Sequence, residues 1–180
     1  LRGFTLRNGR YIYSGGGGEA HGGGGVYGGT LYDCILTENS VVATDEDYAA
    51  HGGGAYQSTL HNCTLIANEA IAIDEDGYAY GGGASRCTLY HCKLANNCSD
   101  GDGGGAIGST LYNCSLTGNS GEEGAGAAGS TLHNCIVTGN STDEDYAAVD
   151  VCTLQNCVVS DNTGVGVAAS ILTHCTLTGN

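Results

Sequence analysis

The sequence predicts an all-β chain folded as a right-handed parallel β-helix, a solenoid of about seven to eight rungs. Three observations support this prediction. A ten-residue motif recurs along the chain, apolar and polar positions alternate with a period of two within it, and the connections between copies vary in length. A fixed motif with variable connections is typical of stacked strands whose loops absorb insertions. We therefore interpret residues 1–180 as one β-helix repeat segment, part of a longer repeat array.

Seven copies of the motif align without gaps. They are Thr30–Asn39, Thr59–Asn68, Thr88–Asn97, Thr110–Asn119, Thr131–Asn140, Thr153–Asn162 and Ile171–Asn180. An eighth, degenerate copy is predicted at Gly3–Gly9, where Phe4 takes the place of the cysteine found in the others. The cysteines of successive copies are separated by 29, 29, 22, 21, 22 and 18 residues.

The columns of the alignment indicate which side chains face inward. A leucine stands three residues before each motif cysteine, and a leucine or valine stands two residues after it. A small apolar residue lies eight residues before it, as at Val26 and Ala55. Alternation of this kind predicts short strands with one buried face. The odd offset between leucine and cysteine predicts a bend, and asparagine, which tolerates turn geometry, is placed there at Asn62, Asn113, Asn134 and Asn156.

An asparagine follows every motif cysteine by five residues. The column comprises Asn39, Asn68, Asn97, Asn119, Asn140, Asn162 and Asn180. Stacked amides can hydrogen-bond to the rungs on either side and can satisfy backbone groups where the chain turns. We predict a buried asparagine ladder, with a surface turn asparagine as the alternative.

The motif cysteines form a second predicted ladder. The column comprises Cys34, Cys63, Cys92, Cys114, Cys135, Cys157 and Cys175. Adjacent rungs lie within the Cα separation that a disulfide accepts, but parallel Cβ vectors and an odd number favour stacked free thiols. Cys87, Cys98 and Cys152 fall outside this column.

Composition restricts the classes of partner. The chain has 33 Gly, one Phe and neither Pro, Met nor Trp, and its 19 acidic residues against 5 Lys and Arg give a formal charge of −14. Such a charge repels nucleic acid and anionic membrane surfaces, so neither is expected as a partner. No run of 18 apolar residues is present, so no membrane span is predicted in this segment. Because the chain starts at Leu1 instead of Met, we expect its N-terminus to have been processed or trimmed.

The glycine-rich stretches carry a family resemblance. Gly103–Gly108 (GGGAIG) and Gly52–Tyr56 (GGGAY), each followed by Leu-x-x-Asn, resemble the paired GGA(I/V/L) and Phe-x-x-Asn motifs of polymorphic outer membrane proteins. They are also similar to the wider right-handed β-helix repeats of bacterial surface proteins. Leucine or valine stands here where that family has Phe. The resemblance implies an extracellular or outer-surface location and an adhesive or passenger role.

Acidic insertions recur between the copies. Their aspartates are Asp45, Asp47, Asp74, Asp76, Asp143 and Asp145. Carboxylates stacked along one edge would repel one another and would favour Ca²⁺, whose ligands are oxygens. We expect no required cofactor, with Ca²⁺ the one that this edge could bind. The alternative is a solvated edge that keeps the chain soluble.

The expected function is that of an extracellular structural or adhesive β-solenoid in a surface or filament-forming protein. Its expected partners are other rungs, by end-to-end self-association or within a longer chain, and a carbohydrate or host-surface ligand. An outward column of tyrosine and histidine, which includes Tyr32, His61 and Tyr90, could serve such a ligand or fit strand propensity alone. The chain is not expected to be an enzyme, because a catalytic site would break the repeat. The alternative is a fragment of a polysaccharide lyase-like enzyme, which would need a basic residue near calcium-binding carboxylates; Arg86 and Lys93, on one rung close to Asp74 and Asp76, are the candidates.

Overall fold

The chain folds into eight stacked rungs of short parallel strands, which confirms the predicted parallel β-helix. The structure is a computed structural model and describes residues 1–13, 22–44, 49–74, 77–142 and 145–180. Every strand pair in these ranges is parallel. The described residues include no helix, and hence none that could cross a membrane. Parallel crossover connections are right-handed almost without exception, which gives the solenoid its expected hand.

The first four rungs contain fourteen strands. They are β1 (Thr5–Arg7), β2 (Arg10–Tyr13), β3 (Val26–Tyr32), β4 (Ile35–Thr37), β5 (Ser40–Ala43), β6 (Ala49–His51), β7 (Ala55–His61), β8 (Thr64–Ile66), β9 (Glu69–Ala72), β10 (Tyr78–Tyr80), β11 (Ala84–Ser85), β12 (Thr88–Tyr90), β13 (Lys93–Ala95) and β14 (Cys98–Ser99).

The last four rungs contain twelve strands. They are β15 (Ala106–Ile107), β16 (Thr110–Tyr112), β17 (Ser115–Thr117), β18 (Ala127–Ala128), β19 (Thr131–His133), β20 (Ile136–Thr138), β21 (Ala147–Asp150), β22 (Thr153–Gln155), β23 (Val158–Ser160), β24 (Val165–Ala168), β25 (Ile171–Thr173) and β26 (Thr176–Thr178).

These strands form four sheets that run along the solenoid. The post-cysteine sheet contains β1, β4, β8, β13, β17, β20, β23 and β26 in that order. The pre-cysteine sheet contains β12, β16, β19, β22 and β25. The long strands β3 and β7 join it to a further row made of β11, β15, β18, β21 and β24. A four-stranded sheet (β2, β5, β9, β14) and a two-stranded one (β6, β10) close the wider rungs at the N-terminal end.

The register follows the sequence motif from rung to rung. Leu89 pairs with Leu60 on one side and Leu111 on the other, and the same alignment continues through the stack. Thr5 of β1 pairs with Ile35, which places Phe4 in the row of the cysteines as the degenerate copy predicts. Because side chains alternate along a strand, this register keeps every motif leucine on the inner face.

The interior is a column of leucines beside columns of cysteine and small apolar residues. Leu60, Leu89, Leu111 and their equivalents are fully buried, as are Ala55 and Ala84 of the small column. Burying one such leucine contributes about 1.5–3 kcal/mol relative to leaving it exposed, and four of the eight rungs bury two. A second, smaller core lies between β5, β6, β9 and β10, where Val41 packs with four alanines.

The corners depend on left-handed backbone conformations. The residue before every motif cysteine has a φ between 53° and 55°, which confirms the bend predicted at the asparagines. These residues are Asp33, Asn62, His91, Asn113, Asn134, Asn156 and His174. Asparagine, aspartate and histidine are the non-glycine residues enriched in this conformation, because their short polar side chains bond locally.

The glycine runs form tight corners. Gly103 has a φ of 67°, and a Cβ atom at Gly104 would clash with the carbonyl oxygens of Ser120 on the same rung and Ala125 on the next. A side chain at either position would therefore strain the backbone or push the rungs apart.

Candidate binding face

The asparagine column lies inside the solenoid, where each amide from Asn39 to Asn162 bonds to both neighbouring rungs. Nδ2 of Asn119 donates to Oδ1 of Asn140 at 2.9 Å and to the Leu94 carbonyl oxygen at 3.1 Å. Oδ1 of Asn119 accepts hydrogen bonds from the backbone N–H and the Nδ2 of Asn97, both at 3.0 Å. The same pattern runs from Asn39 to Asn180.

These amides are fully used in holding the stack together. Six of the seven are buried, and Asn180, on the last rung, is exposed. No buried side-chain nitrogen or oxygen within the described ranges lacks a partner. The asparagine column therefore has a structural role and offers no free group to a ligand.

The motif cysteines stack in the interior as free thiols. The backbone N–H of Cys92 donates to Sγ of Cys114 at 3.4 Å, and Sγ of Cys92 donates to the Tyr90 carbonyl oxygen at 3.3 Å. All ten cysteines of the chain are free, and only Cys98 and Cys175 are partly exposed. The hydrogen bond from the neighbouring thiol, together with burial, raises the pKa of Cys63, so the thiol stays protonated and unreactive.

A third ladder stands five residues before the motif cysteines, at positions that were not predicted to form one. The column comprises Ser58, Cys87, Ser109, Ser130, Cys152 and Ser170. The backbone N–H of Ser130 donates to Sγ of Cys152 at 3.3 Å, and that of Cys87 donates to Oγ of Ser109 at 3.0 Å. Two residue types share the column, which obscures it in the alignment. The five-residue step from serine or cysteine to cysteine to asparagine is the signal that could have found it.

The predicted calcium residues lie only partly within the described residues. Asp74 and Asp145 are exposed, whereas Asp45, Asp47, Asp76 and Asp143 fall outside the described ranges. The described residues contain no cluster of three or more His, Cys, Asp or Glu side chains that could hold a metal. Calcium binding by this edge stays a prediction.

A different acidic cleft lies where the wider rungs give way to the shorter ones. It has a volume of about 360 Å³ and is lined by Tyr78, Tyr80, Asp100, Asp102, Glu122 and Glu123 with two glycines. Burial, followed by repulsion from Glu123 and Glu122, raises the pKa of Asp102 above its ordinary value. The cleft therefore concentrates negative charge, and this charge makes ionisation of the Asp102 carboxyl less favourable.

The pre-cysteine sheet presents two continuous columns to solvent, which we call the threonine–ring face. One column is threonine on six rungs in register: Thr30, Thr59, Thr88, Thr110, Thr131 and Thr153. Two residues further along each strand, the other column consists of Tyr32, His61, Tyr90, Tyr112 and His133. The buried leucine lies between each pair, so both columns face outward.

The five rings of this face form an unbroken stack. Neighbouring centroids are 4.7–5.1 Å apart and neighbouring planes differ by 6–9°. Nδ1 of His133 continues the column with a 3.0 Å contact to Oε1 of Gln155. Because each inner ring covers the faces of its neighbours, the face offers solvent ring edges with their hydroxyl and imidazole groups.

A second aromatic group is largely covered. Tyr56 is fully buried, stacked with Tyr27 at 5.6 Å and with His51 at 5.5 Å, and it accepts a hydrogen bond from Arg86. Tyr27 is exposed. Lys93, the other basic residue that the lyase alternative could use, lies on the post-cysteine sheet.

No family model matches the chain, and no curated protein matches it. The resemblance to polymorphic outer membrane proteins is thus limited to the short motifs that carry it. Among solved structures, the chain is similar to a trypsin-treated variant of QnrB1, a plasmid-mediated fluoroquinolone resistance protein. The identity is 15%, with 96% of this chain and 90% of that chain covered and a TM-score of 0.26. A superposition this loose supports no conclusion about function, and the fold rests on the strand register described above.

Proposed function

We propose that the chain is a structural and adhesive β-solenoid segment of an extracellular surface or filament-forming protein. One observation carries this proposal: the threonine–ring face repeats without interruption over five to six rungs on the outside of a rigid scaffold. Side chains used only to fill a core would face inward. A regular, flat and uncharged outer face suits contact with an extended partner.

The interior supports the scaffold part of the proposal. Three hydrogen-bonded ladders cross-link successive rungs, and the leucine columns fill the space between them. Such a stack resists bending and can hold its outer face in a fixed geometry over its whole length. The same geometry allows further rungs to be added, either within a longer chain or from a second copy.

A catalytic role has no comparable support. A glycosidase needs two carboxyl groups within about 5–9.5 Å of each other. Asp33 on the second rung and Asp150 on the seventh are separated by five rungs, or about 24 Å, which is too far for such a pair. The acidic cleft does bring four carboxyl groups together, but they lie outside the strands of the threonine–ring face, which itself carries no carboxyl group. We propose a non-catalytic surface.

Surface exposure tests this function directly. Antibodies against the 180-residue chain should label intact producing cells or the material that they secrete, and external protease should remove the signal. A cytoplasmic protein of the same cells is the control, and it should be neither labelled by its antibody nor cleaved by the external protease. Labelling that requires permeabilised cells would contradict the proposal.

A further inference from the structure

The way in which the rings stack determines how the threonine–ring face can bind. His61 lies between Tyr32 and Tyr90 at centroid distances of 4.8 and 4.7 Å, with planes 9° and 6° from parallel. Tyr112 lies in the same way between Tyr90 and His133. A sugar ring cannot stack on a face that another ring already covers. Binding must therefore use the outer edges, which carry phenol hydroxyl and imidazole groups.

The threonine column supplies a parallel row of hydroxyl groups. Successive rungs are about 4.8 Å apart, and two residues along a strand span about 6.6 Å. The two rows thus form a ladder of polar groups about 24 Å long, from Thr30 to Thr153. A hydroxyl group both donates and accepts, so a matching partner has groups that do both and recur along its length.

Charge restricts the partner further. From Thr30 to Gln155 the two columns of this face include no Asp, Glu, Lys or Arg, whereas the whole chain carries a formal charge of −14. The one charged neighbour in register is Arg2 on the first rung, whose guanidinium lies 5.1 Å from the centroid of the Tyr32 ring. That charge of the whole chain repels polyanionic glycans, but it leaves neutral polymers unaffected.

We infer that the threonine–ring face binds a neutral, extended, β-linked polysaccharide that lies along the solenoid axis. The sugar hydroxyls exchange hydrogen bonds with the threonine hydroxyls and the ring edges, and successive sugars meet successive rungs. This inference rests on the proposed adhesive function and names the class of its ligand.

Isosteric substitutions test whether binding uses the hydroxyl groups at the ring edges and on the threonines. The same rungs carry matched control positions on the post-cysteine sheet. The purified chain is incubated with microcrystalline cellulose, chitin or immobilised polygalacturonate, and the bound fraction gives the affinity. We expect retention on at least one neutral polymer and none on the anionic one. The double variants Tyr90→Phe/Tyr112→Phe and Thr110→Val/Thr131→Val should each bind roughly 5- to 100-fold more weakly, because each loses two hydroxyl groups.

The control is Thr117→Val/Thr138→Val, which makes the same change on the same two rungs of the post-cysteine sheet. This control should bind the polymers like the parent chain, and all variants should have the melting temperature of the parent. Retention by neither neutral polymer, or retention by polygalacturonate alone, would overturn the inference. So would phenylalanine variants that bind like the parent, since binding would then not use the ring edges. Surface labelling of intact cells is independent of this assay, so its success together with failed retention would reject the ligand class and leave the adhesive role standing.

Discussion

At the scale of single residues, the corner side chains combine two roles. Asn119 terminates the strand segment β17 and at the same time joins three rungs through Nδ2 and Oδ1. The invariance of asparagine in this column follows from that geometry, because aspartate lacks the donors and glycine lacks the side chain. The serine and cysteine column is more permissive, since it requires only an atom that accepts one backbone N–H.

Replacing Asn119 with alanine should strongly destabilise the stack. The backbone N–H and Nδ2 of Asn97 lose their acceptor, and the Leu94 carbonyl oxygen loses a donor. Each buried group left unsatisfied costs about 1–3 kcal/mol, so we expect a loss of at least about 3 kcal/mol in the free energy of unfolding. Chemical denaturation measures it. Asn113→Gly, at an exposed corner with a φ of 55°, is the control and should change stability little. Equal stability of Asn119→Ala and the parent would disprove the buried ladder.

Replacing Cys152 should show whether its side chain stabilises the fold as a hydrogen-bond acceptor or only as a buried apolar group. Cys152→Ser keeps an acceptor for the Ser130 N–H and should cost under about 1 kcal/mol, whereas Cys152→Ala leaves that N–H unpaired and should cost about 1–3 kcal/mol. If the alanine variant were the more stable of the two, packing and not hydrogen bonding would govern this column.

The pH dependence of stability provides a second test of the column that contains Cys87 and Cys152. Burial raises the pKa of Cys87 and of Cys152 to about 12. A raised thiol pKa means that the folded state holds the proton more tightly, so this stability is complete below the ordinary thiol pKa and is lost as pH rises toward 12. The double variant Cys87→Ser/Cys152→Ser should therefore lose less stability than the parent between pH 9 and 11 in thermal melts.

At the scale of elements, the sequence predicted the strands because two signals agreed in each motif. The period of two placed the leucines inside, and the asparagines at the bend marked the corners between β12 and β13 and their equivalents. The two-stranded sheet of β6 and β10 was not predicted, because its strands lie in insertions present on two rungs only and therefore have no repeat to reveal them. Only one of the two columns of the threonine–ring face was predicted from the sequence. The tyrosine and histidine column was recognised, and the threonine column beside it was not.

The acidic cleft should weaken the fold at neutral pH. Burial and the nearby glutamates raise the pKa of Asp102, so the folded state gains stability when that carboxyl is protonated and loses it as pH rises from the ordinary aspartate pKa through the raised value. Asp102→Asn should accordingly raise the melting temperature at pH 7 and have little effect near pH 3. The matched control is Asp161→Asn, an exposed aspartate away from the cleft. A lower melting temperature for Asp102→Asn at pH 7 would contradict this account.

Calcium provides the complementary experiment on the acidic edge. If these carboxylates bind Ca²⁺, millimolar calcium should raise the melting temperature by linkage, and a chelator should reverse the effect. Magnesium should act more weakly, because it gives up its waters reluctantly. Identical melts with calcium, magnesium and chelator at low ionic strength would leave the edge with a solubilising role.

At the scale of the whole molecule, a stack of rungs exposes unpaired strand edges and apolar side chains at each end. On the last rung, Leu172 and Leu177 occupy the positions of the buried leucines but are 37% and 48% exposed. Unpaired parallel edges of this kind pair readily with further strands. We therefore expect the isolated 180-residue chain to associate end to end.

Light scattering measures that association. The average mass should rise with concentration above 18.1 kDa, and Leu177→Lys should reduce the rise because a charge would have to be buried between rungs. Ile136→Lys, on the outer face of the post-cysteine sheet, is the control and should associate like the parent. A monodisperse monomer at every concentration would show that the ends do not pair.

Successive copies of the motif stack as parallel strands in register, and nuclear Overhauser contacts between backbone protons measure this stacking. We expect contacts between strands β16 and β19 that join Thr110, Leu111 and Tyr112 with Thr131, Leu132 and His133 in order, and the same pattern on every rung. Contacts that join these strands in the reverse order, or that are confined to residues close in sequence, would contradict the parallel β-helix.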